Sequence, residues 1–245
     1  MKSVFKKVLK FIFGSSTPFV IKRIKYIIKK VKGGYYSING LDRQLERYVS
    51  YDDGFFVELG ANDGVAQSNS LYFEQRRGWR GVLIEPSPYN FAQCKLNRSS
   101  RNFIFCNACV GFDYKEKYVD IEYANLMTVS KSLDLDLSSA SNHIERGKKH
   151  LDNYEDVFEF GAVAKTLTKL LEDASAPILI DFLSLDVEGA ELSVLKGINF
   201  DKFNFKYMLI EIRDFAEVSK FLNQFNYHFI EKFSEHDYLF KYTKS

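Results

Sequence analysis

The 245-residue chain is 46% apolar and carries a formal net charge of +2, a composition typical of a folded globular protein rather than a disordered or fibrous one. No stretch approaches the ~20 consecutive apolar residues that a membrane-spanning helix needs. The three cysteines, Cys94, Cys106 and Cys109, are too few and odd in number for a disulfide framework. We therefore expect a reducing, cytoplasmic environment.

The N-terminus is a strongly basic segment. Residues 1–32 contain ten Lys or Arg and no acidic residue, whereas the remainder of the chain has 24 basic and 32 acidic residues. Helical spacing places apolar residues on one face and lysines on the other in two successive stretches, and Gly33-Gly34 ends the second. We expect amphipathic helices forming a basic arm over residues 1–34, followed by one domain over residues 35–245.

Two functions of this arm stay open. It could bind an anionic membrane surface, since each basic residue near such a surface adds up to ~1 kcal/mol, and the protein would then lie peripheral to the inner face of the membrane. Its apolar faces could instead pack on the domain or on a second copy of the chain, which leaves a homo-oligomer open. We do not expect nucleic acid as a partner, because the arm has few aromatic residues for base stacking.

From residue 55 onward, short apolar runs alternate with amphipathic stretches. Five apolar runs are predicted strands, and five amphipathic stretches between and after them are predicted helices. The C-terminus is a predicted hairpin. The strands are 55–59, 81–85, 102–110, 178–187 and 206–212; the helices are 68–76, 87–97, 163–173, 191–197 and 214–225; the hairpin strands are 227–233 and 237–243. This order predicts a doubly wound, mostly parallel α/β sheet with a C-terminal antiparallel hairpin.

Residues 112–162 interrupt this rhythm with a long polar stretch. Segments of this length inside a compact domain are usually binding loops or lids, or have structure of their own. We therefore expect an acceptor-binding insertion here. It contains His143 and His150, and an imidazole suits a general base at neutral pH. His143 is the preferred candidate, whereas we expect His228 and His236, on or beside the hairpin, to be structural.

Polar residues stand where each predicted strand ends. Ligands of open α/β sheets bind beyond the carboxyl ends of the strands, and carboxylates there need partners. This identifies one candidate binding site. Its residues are Glu58 with the turn Gly60, Ala61, Asn62, Asp63 and Gly64, then Glu85, then Asn107 and Ala108, then Asp186 with Glu188, and finally Glu211.

The glycine turn and Glu85 favour a nucleoside without a pyrophosphate. Gly60 and Gly64 allow close backbone approach, and Glu85 follows at the end of the next strand, where an acid can accept hydrogen bonds from ribose hydroxyls. A dinucleotide-binding turn would have glycine where Asn62 and Val65 stand, and no Gly-Lys-Ser/Thr phosphate loop is present. These observations point to S-adenosylmethionine.

The chain resembles the FkbM family of S-adenosylmethionine-dependent methyltransferases over roughly residues 54–213. The matching stretches are FVELGANDGVAQSNS, GWRGVLIEPSP, NACVG, IDFLSLDVEGAELSVLKG and MLIEI, in that order. The resemblance implies a class I methyltransferase fold, which is Rossmann-like with seven strands, the last of them antiparallel. It also implies O-methylation of a small-molecule or glycan acceptor, in pathways for antibiotics or surface polysaccharides.

The resemblance also implies roles for individual residues. Glu58 and the turn from Gly60 to Gly64 would hold the methionine portion of the cofactor, and Glu85 its ribose. Asn107 and Ala108 would lie along the adenine edge. Asp186 would face the methionine amino group or the acceptor.

Three carboxylates are candidates for the catalytic step. Asp186, Glu188 and Glu211 should lie close together if strands four and five are neighbours. One could be the general base, or two could hold a divalent cation that polarises the acceptor oxygen. A metal is not favoured, because Glu188 could instead cap the helix that follows strand four.

Two other functions remain as alternatives to a methyltransferase. A non-catalytic, membrane-associated adaptor could retain the fold, although the acidic strand ends argue against it. A nicotinamide-dependent oxidoreductase is disfavoured by the glycine spacing.

Overall fold

The computed structural model describes residues 10–12, 14, 21, 24, 34–124, 128–131, 133, 145, 147–151 and 156–243. The chain divides into two compact units, Met1–Tyr35 and Tyr36–Ser245. Most of the predicted arm lies outside the described residues, so its two helices stay a prediction.

The second unit contains strands and helices in the alternating order expected of an α/β domain. Its strands are β1 (Phe55–Leu59), β2 (Arg80–Ile84), β3 (Phe103–Phe105), β4 (Ala108–Cys109), β5 (Tyr118–Tyr123), β6 (Val129–Ser130), β7 (Phe158–Lys165), β8 (Leu179–Leu185), β9 (Asn204–Glu211), β10 (Tyr227–Lys232) and β11 (Asp237–Tyr242). Its α-helices are α1 (Leu41–Leu45), α2 (Leu71–Arg76), α3 (Pro88–Asn97), α4 (Leu167–Asp173), α5 (Glu191–Leu195) and α6 (Phe215–Asn223). Within the described ranges, no helix is both long and apolar enough to span a bilayer.

The main sheet has seven strands in the order β10-β11-β9-β8-β1-β2-β3. Strands β3, β2, β1, β8 and β9 run parallel to one another, and β11 runs antiparallel to both β9 and β10. This confirms the predicted mostly parallel sheet with a C-terminal antiparallel hairpin. The central strand β1 is buried along its whole length, as expected for a strand covered on both faces.

Alternate residues of β1 supply the cores on the two faces of this sheet. Phe55, Val57 and Leu59 pack into one hydrophobic cluster, and Phe56 packs into another with Trp79. Successive side chains of a strand point to opposite faces, so one apolar run serves both cores. The Trp79 indole N–H also donates to the Tyr51 carbonyl at 2.8 Å, which satisfies its polar atom.

Side-chain caps fix where the helices begin. The Ser87 hydroxyl accepts the backbone N–H of Asn90, with Pro88 in the first turn, which confirms the predicted start of α3. Thr166 caps α4 in the same way by accepting from Lys169. The predicted helix over 163–173 is therefore too long at its N-terminal end, because residues 163–165 still belong to strand β7.

A second sheet of four strands, ordered β4-β7-β5-β6, occupies the predicted insertion. The single predicted strand over 102–110 is wrong. Strand β3 ends at Phe105, and Ala108 and Cys109 pair with β7 in the other sheet. The chain leaves the main sheet at Asn107, whose side-chain amide donates to the Val163 carbonyl at 3.0 Å.

Candidate active site

A cavity of about 430 Å³ opens at the carboxyl ends of the parallel strands. This volume lies in the usual range for small-molecule sites. Nine of the residues predicted from the sequence line it: Glu58, Gly60, Asn62, Glu85, Asn107, Ala108, Asp186, Glu188 and Glu211. The structure therefore brings the predicted strand ends together around one space.

The turn after β1 requires glycine at position 60. Gly60 has a left-handed φ of 77°, and a Cβ there would lie 2.0 Å from the Asp186 carbonyl oxygen. The Gly60 and Ala61 N–H groups both donate to the Ile84 carbonyl at 3.1 Å. The turn is thus pinned between β2 and the end of β8, with its backbone directed toward the cavity.

Three residues of this turn have structural contacts and do not line the cavity. Ala61 is buried in the core, and Asp63 Oδ1 accepts the N–H groups of Val65 and Ala66 at 2.9 and 2.8 Å. A Cβ on Gly64 would lie 2.7 Å from the Arg98 side chain. Their predicted contacts with the cofactor stay predictions.

The Glu58 carboxylate lies in a buried network of hydrogen bonds. Its Oε1 accepts the Asn69 N–H at 2.8 Å, and its Oε2 accepts from the Ser68 and Ser70 hydroxyls at 2.9 and 2.5 Å. Arg98 donates to the same Oε2 at 3.2 Å, and both side chains are buried. Glu58 therefore anchors the segment after the glycine turn, although it also borders the cavity.

Glu85 connects β2 to the glycine turn. Its Oε2 accepts the Asn62 N–H at 2.8 Å, and its Oε1 accepts the Ser87 N–H at 2.9 Å. Burial raises the pKa of this carboxyl to about 7, against the lowering effect of these two backbone hydrogen bonds. The side chain thus borders the cavity as a carboxyl group whose protonation state changes near neutral pH.

Asp186, Glu188 and Glu211 form an acidic cluster, in which one oxygen of each carboxylate lies within 4.8 Å of the others. Strand pairing explains the proximity. Leu185 of β8 pairs with Ile210 of β9, so the residues that follow them, Asp186 and Glu211, stand side by side. The expectation that these three carboxylates lie close together is confirmed.

Burial and mutual repulsion perturb this cluster. Burial, then the charges of Glu211, Glu188 and Glu191, raise the pKa of Asp186 well above its usual value. The pKa of Glu211 is raised mainly by burial and by Glu188, and the Arg213 guanidinium opposes this. Arg213 Nη2 lies 3.7 Å from Glu188 and 3.5 Å from Glu211.

Glu191 holds the loop that joins β8 to α5. Its Oε1 accepts the N–H groups of Val187 and Gly189 at 3.0 and 3.2 Å. Its side chain is buried, which raises the pKa of this carboxyl to about 7. Both N–H groups precede the N-cap of the helix, Ala190, so Glu191 fixes the loop and does not cap the helix.

Residues in and beside the second sheet also line the cavity. We call this surface the acceptor wall, after the role proposed for it below; its residues are Val119, Ile121, Thr128, Ser130 and Leu133. Ile121 and Ser130 are paired in register, so they lie on the same face. His143, the preferred base, lies outside the described residues. His150 ends a short 3-10 turn, Lys148–His150, and its role as a base stays a prediction.

His236 lines the cavity, whereas the sequence predicted only a structural role for it. Its carbonyl accepts the Ile212 N–H at 2.8 Å, and the next residue, Asp237, pairs with Glu211. The hairpin turn therefore lies at the same edge of the sheet as the acidic cluster. The antiparallel pairing of the last strand with β9 determines this position, and residue type alone does not show it.

Comparisons with known proteins agree with this geometry. A family model described as Methyltransferase FkbM domain matches residues 58–240. A search of curated proteins found no significant match.

Three solved structures are similar to the chain at low identity. They are M. capricolum TrmK in complex with S-adenosyl-homocysteine (8% identity, 81% of this chain and 66% of that chain, TM-score 0.39), the human methyltransferase 10 domain containing protein (12%, 83% and 81%, 0.44) and the delta-N METTL16 MTase domain (13%, 81% and 78%, 0.41). The chain thus spans just under two thirds of the first of these.

The strand order is that of a class I methyltransferase, with one antiparallel strand inserted beside β9 and a cavity at the carboxyl edge of the sheet. The methyl donor of this class is S-adenosylmethionine. The family match covers well over half of the chain. The chain belongs to the FkbM methyltransferase family.

Proposed function

We propose that the protein transfers the methyl group of S-adenosylmethionine to a hydroxyl oxygen of a saccharide or of a secondary metabolite. One observation carries this proposal. The predicted cofactor residues at the strand ends and the acceptor wall line a single cavity, and the acidic cluster borders the same cavity.

The cofactor side of the cavity suits a nucleoside linked to an amino acid. Glu85 supplies a carboxylate for the ribose hydroxyls, and the turn at Gly60 lets the backbone approach the methionine portion closely. Asn107 and Ala108, where the chain passes between the two sheets, border the space for the adenine ring.

The acceptor side combines apolar and hydrogen-bonding groups. Val119, Ile121 and Leu133 provide an apolar surface, whereas Thr128 and Ser130 provide hydroxyls on the same wall. More polar side chains complete the rim: Asn39, Gln67, Ser234 and His236. A ring that carries several hydroxyl groups matches such a lining, because its faces are apolar and its edges form hydrogen bonds.

The chemical step requires alignment of the reactants and removal of a proton. The acceptor oxygen attacks the methyl carbon, the carbon–sulfur bond breaks, and its electron pair stays on sulfur to give S-adenosylhomocysteine. The protein contributes by holding the two reactants in line. As the hydroxyl oxygen reacts it becomes more positive, and its proton passes to a carboxylate of the acidic cluster, whose negative charge also stabilises the positive oxygen.

The decisive test is calorimetry with the purified full-length chain. We expect binding of S-adenosylmethionine and S-adenosylhomocysteine and no binding of NAD. The reverse pattern would support the oxidoreductase alternative, and an absence of binding to all three would support the adaptor. A screen of nucleotide sugars and surface-glycan fragments, in which formation of S-adenosylhomocysteine is measured, then identifies the acceptor.

We also propose that the basic arm brings the enzyme to an anionic membrane surface. Ten basic and no acidic residues in 1–32 support this, since that charge attracts anionic lipid headgroups. Such a location suits acceptors that are attached to lipids or displayed at the cell surface.

A further inference from the structure

We infer that the acidic cluster of Asp186, Glu188 and Glu211 binds one divalent metal cation of the magnesium or manganese type. This inference rests on the proposed function, because the cation would lie beside the acceptor oxygen. It adds a ligand that the methyltransferase reaction as such does not require.

The spacing of the three carboxylates fits one small cation. Their nearest oxygens all lie within 4.8 Å of one another. Oxygens around an octahedral Mg²⁺ at about 2.1 Å are roughly 3 Å apart when adjacent and roughly 4.2 Å apart when opposite. Side-chain rotations that shorten the longest oxygen–oxygen distance by less than about 1 Å would bring the cluster into that range.

An unsatisfied oxygen in this cluster points to a ligand. Asp186 Oδ1 is buried from solvent and accepts no hydrogen bond. A buried polar atom without a partner costs about 1–3 kcal/mol, and more when it belongs to a charged group. Coordination of a cation at this oxygen removes that cost. Asp186 directly follows β8, and its backbone carbonyl lies next to Gly60 in the turn after β1.

The charge of the cluster also fits a divalent ion. Arg213 approaches Glu188 and Glu211 at 3.7 and 3.5 Å, which is longer than the roughly 2.7–2.9 Å of a strong charge-assisted hydrogen bond. One guanidinium offsets one of the three carboxylate charges. The repulsion between the remaining negative charges is what a divalent cation would relieve.

The local backbone directs Glu188 into the cluster. Glu188 has a left-handed φ of 56°, which is unusual for a residue with a side chain, and Gly189 follows with a φ of 99°. The backbone N–H groups on either side of Glu188, those of Val187 and Gly189, donate to the Glu191 carboxylate, which fixes the loop that carries Glu188.

The ligand types select the metal. Three carboxylates without histidine or cysteine suit magnesium or manganese rather than zinc or copper. They leave other coordination positions for water and for an acceptor hydroxyl. An oxygen bound to such a cation loses its proton more readily, which is the step that the transfer to a hydroxyl requires.

The test is a titration of the chelator-treated full-length protein with Mn²⁺, in which free Mn²⁺ is followed by electron paramagnetic resonance. We expect one site in the wild type and at least a tenfold loss of affinity in Asp186→Asn and in Glu211→Gln. Glu235→Gln is the matched control, because Glu235 lines the same cavity but lies outside the cluster, with 87% of its side chain exposed. It should bind Mn²⁺ like the wild type.

Two results would overturn the inference: no binding of Mn²⁺ to the wild type at millimolar concentration, or equal affinity in the wild type and both cluster variants. Thermal melts establish that each variant is folded. If a cluster variant does not fold, the wild-type titration and the remaining variant decide. Calorimetry with S-adenosylhomocysteine on the same samples separates the two proposals, since a protein that binds this ligand but not Mn²⁺ contradicts only the metal site.

Discussion

The carboxylate of Glu85 accepts a hydrogen bond from the backbone N–H of Asn62 at 2.8 Å. This bond joins the end of β2 to the turn after β1, where Asn62 has a left-handed φ of 47°. Asn62 had stood out in the sequence as the residue at a position where a dinucleotide-binding turn has glycine. In the structure it is held by the acid that we assign to the ribose.

We expect Glu85→Gln to weaken binding of S-adenosylhomocysteine by about 1.5–3 kcal/mol, because the ribose hydroxyls lose a charged acceptor. In the wild type, affinity should also increase as the pH rises through about 7, where this carboxyl ionises. The variant should lack that increase. Calorimetry from pH 6 to 8 measures both effects, and the exposed Glu116→Gln is the control. Identical pH profiles for the wild type and Glu85→Gln would rule out the ribose assignment.

The same carboxyl should make folding stability depend on pH. Its pKa in the folded protein is raised to about 7 from an ordinary value of 4.5, so the folded state binds the proton more tightly. The stabilisation is complete below pH 4.5 and is lost as the pH rises to about 7, by on the order of 3 kcal/mol. Urea denaturation of the wild type and Glu85→Gln across this range measures the difference. The difference between the two proteins in how stability changes with pH isolates the effect of Glu85 from that of Glu191, whose pKa is raised to a similar value. If stability changes equally with pH in both proteins, the prediction is wrong.

Substitution of Arg98 should strongly destabilise the domain. Its guanidinium donates to Glu58 at 3.2 Å and to Glu74 at 2.7 Å, and all three side chains are buried. Arg98→Met leaves both carboxylates without this partner, so we expect a loss of about 3–5 kcal/mol in the free energy of unfolding. Chemical denaturation measures it, with the exposed Arg101→Met as the control. A loss below about 1 kcal/mol would show that the network is not needed for stability.

Gly60 should not tolerate a side chain. A Cβ there would lie 2.0 Å from the Asp186 carbonyl, and the left-handed φ of 77° adds strain. Gly60→Ala should cost about 1–3 kcal/mol from the backbone alone, more from the clash, and should weaken cofactor binding. Gly161→Ala is the matched control, because its Cβ would lie 3.5 Å from the nearest atom, an ordinary contact. Equal melting temperatures for the two variants would contradict the assigned geometry.

Deletion of residues 1–32 should release the protein from vesicles that contain anionic lipid and leave binding of S-adenosylhomocysteine unchanged. The reason is the loss of ten basic residues and two predicted apolar faces. Co-sedimentation with anionic and with neutral vesicles measures the first effect, and calorimetry the second. If the truncated protein unfolds or changes its oligomeric state instead, the arm is a packing element.

Sequence patterns predict the main sheet well because buried strands and amphipathic helices differ in period. They also predict that Asp186 and Glu211 meet, because the carboxyl ends of parallel neighbours share one edge. They do not predict the role of Glu58, which depends on Arg98, a residue 40 positions away in the chain. A contact of that kind follows from packing and not from local spacing.

The second sheet was missed for a different reason. Residues 118–123 alternate between exposed and buried side chains, which is the pattern of a strand with one buried face. The signal is present, but it lies inside a long polar stretch whose length predicted a single insertion. His236 was missed because its place at the cavity depends on how β11 inserts beside β9.

Under the proposed function, the two sheets recognise different reactants. The strand ends assigned to the methyl donor belong to the seven-stranded sheet, whereas the acceptor wall is formed by the four-stranded sheet and residues beside it. Exchange of the wall should therefore alter acceptor selectivity while donor affinity stays the same. This arrangement would let residues 108–165, which span β4 to β7, diverge between relatives around a slowly changing chemical core, and it makes that segment the natural unit for grafting between homologues.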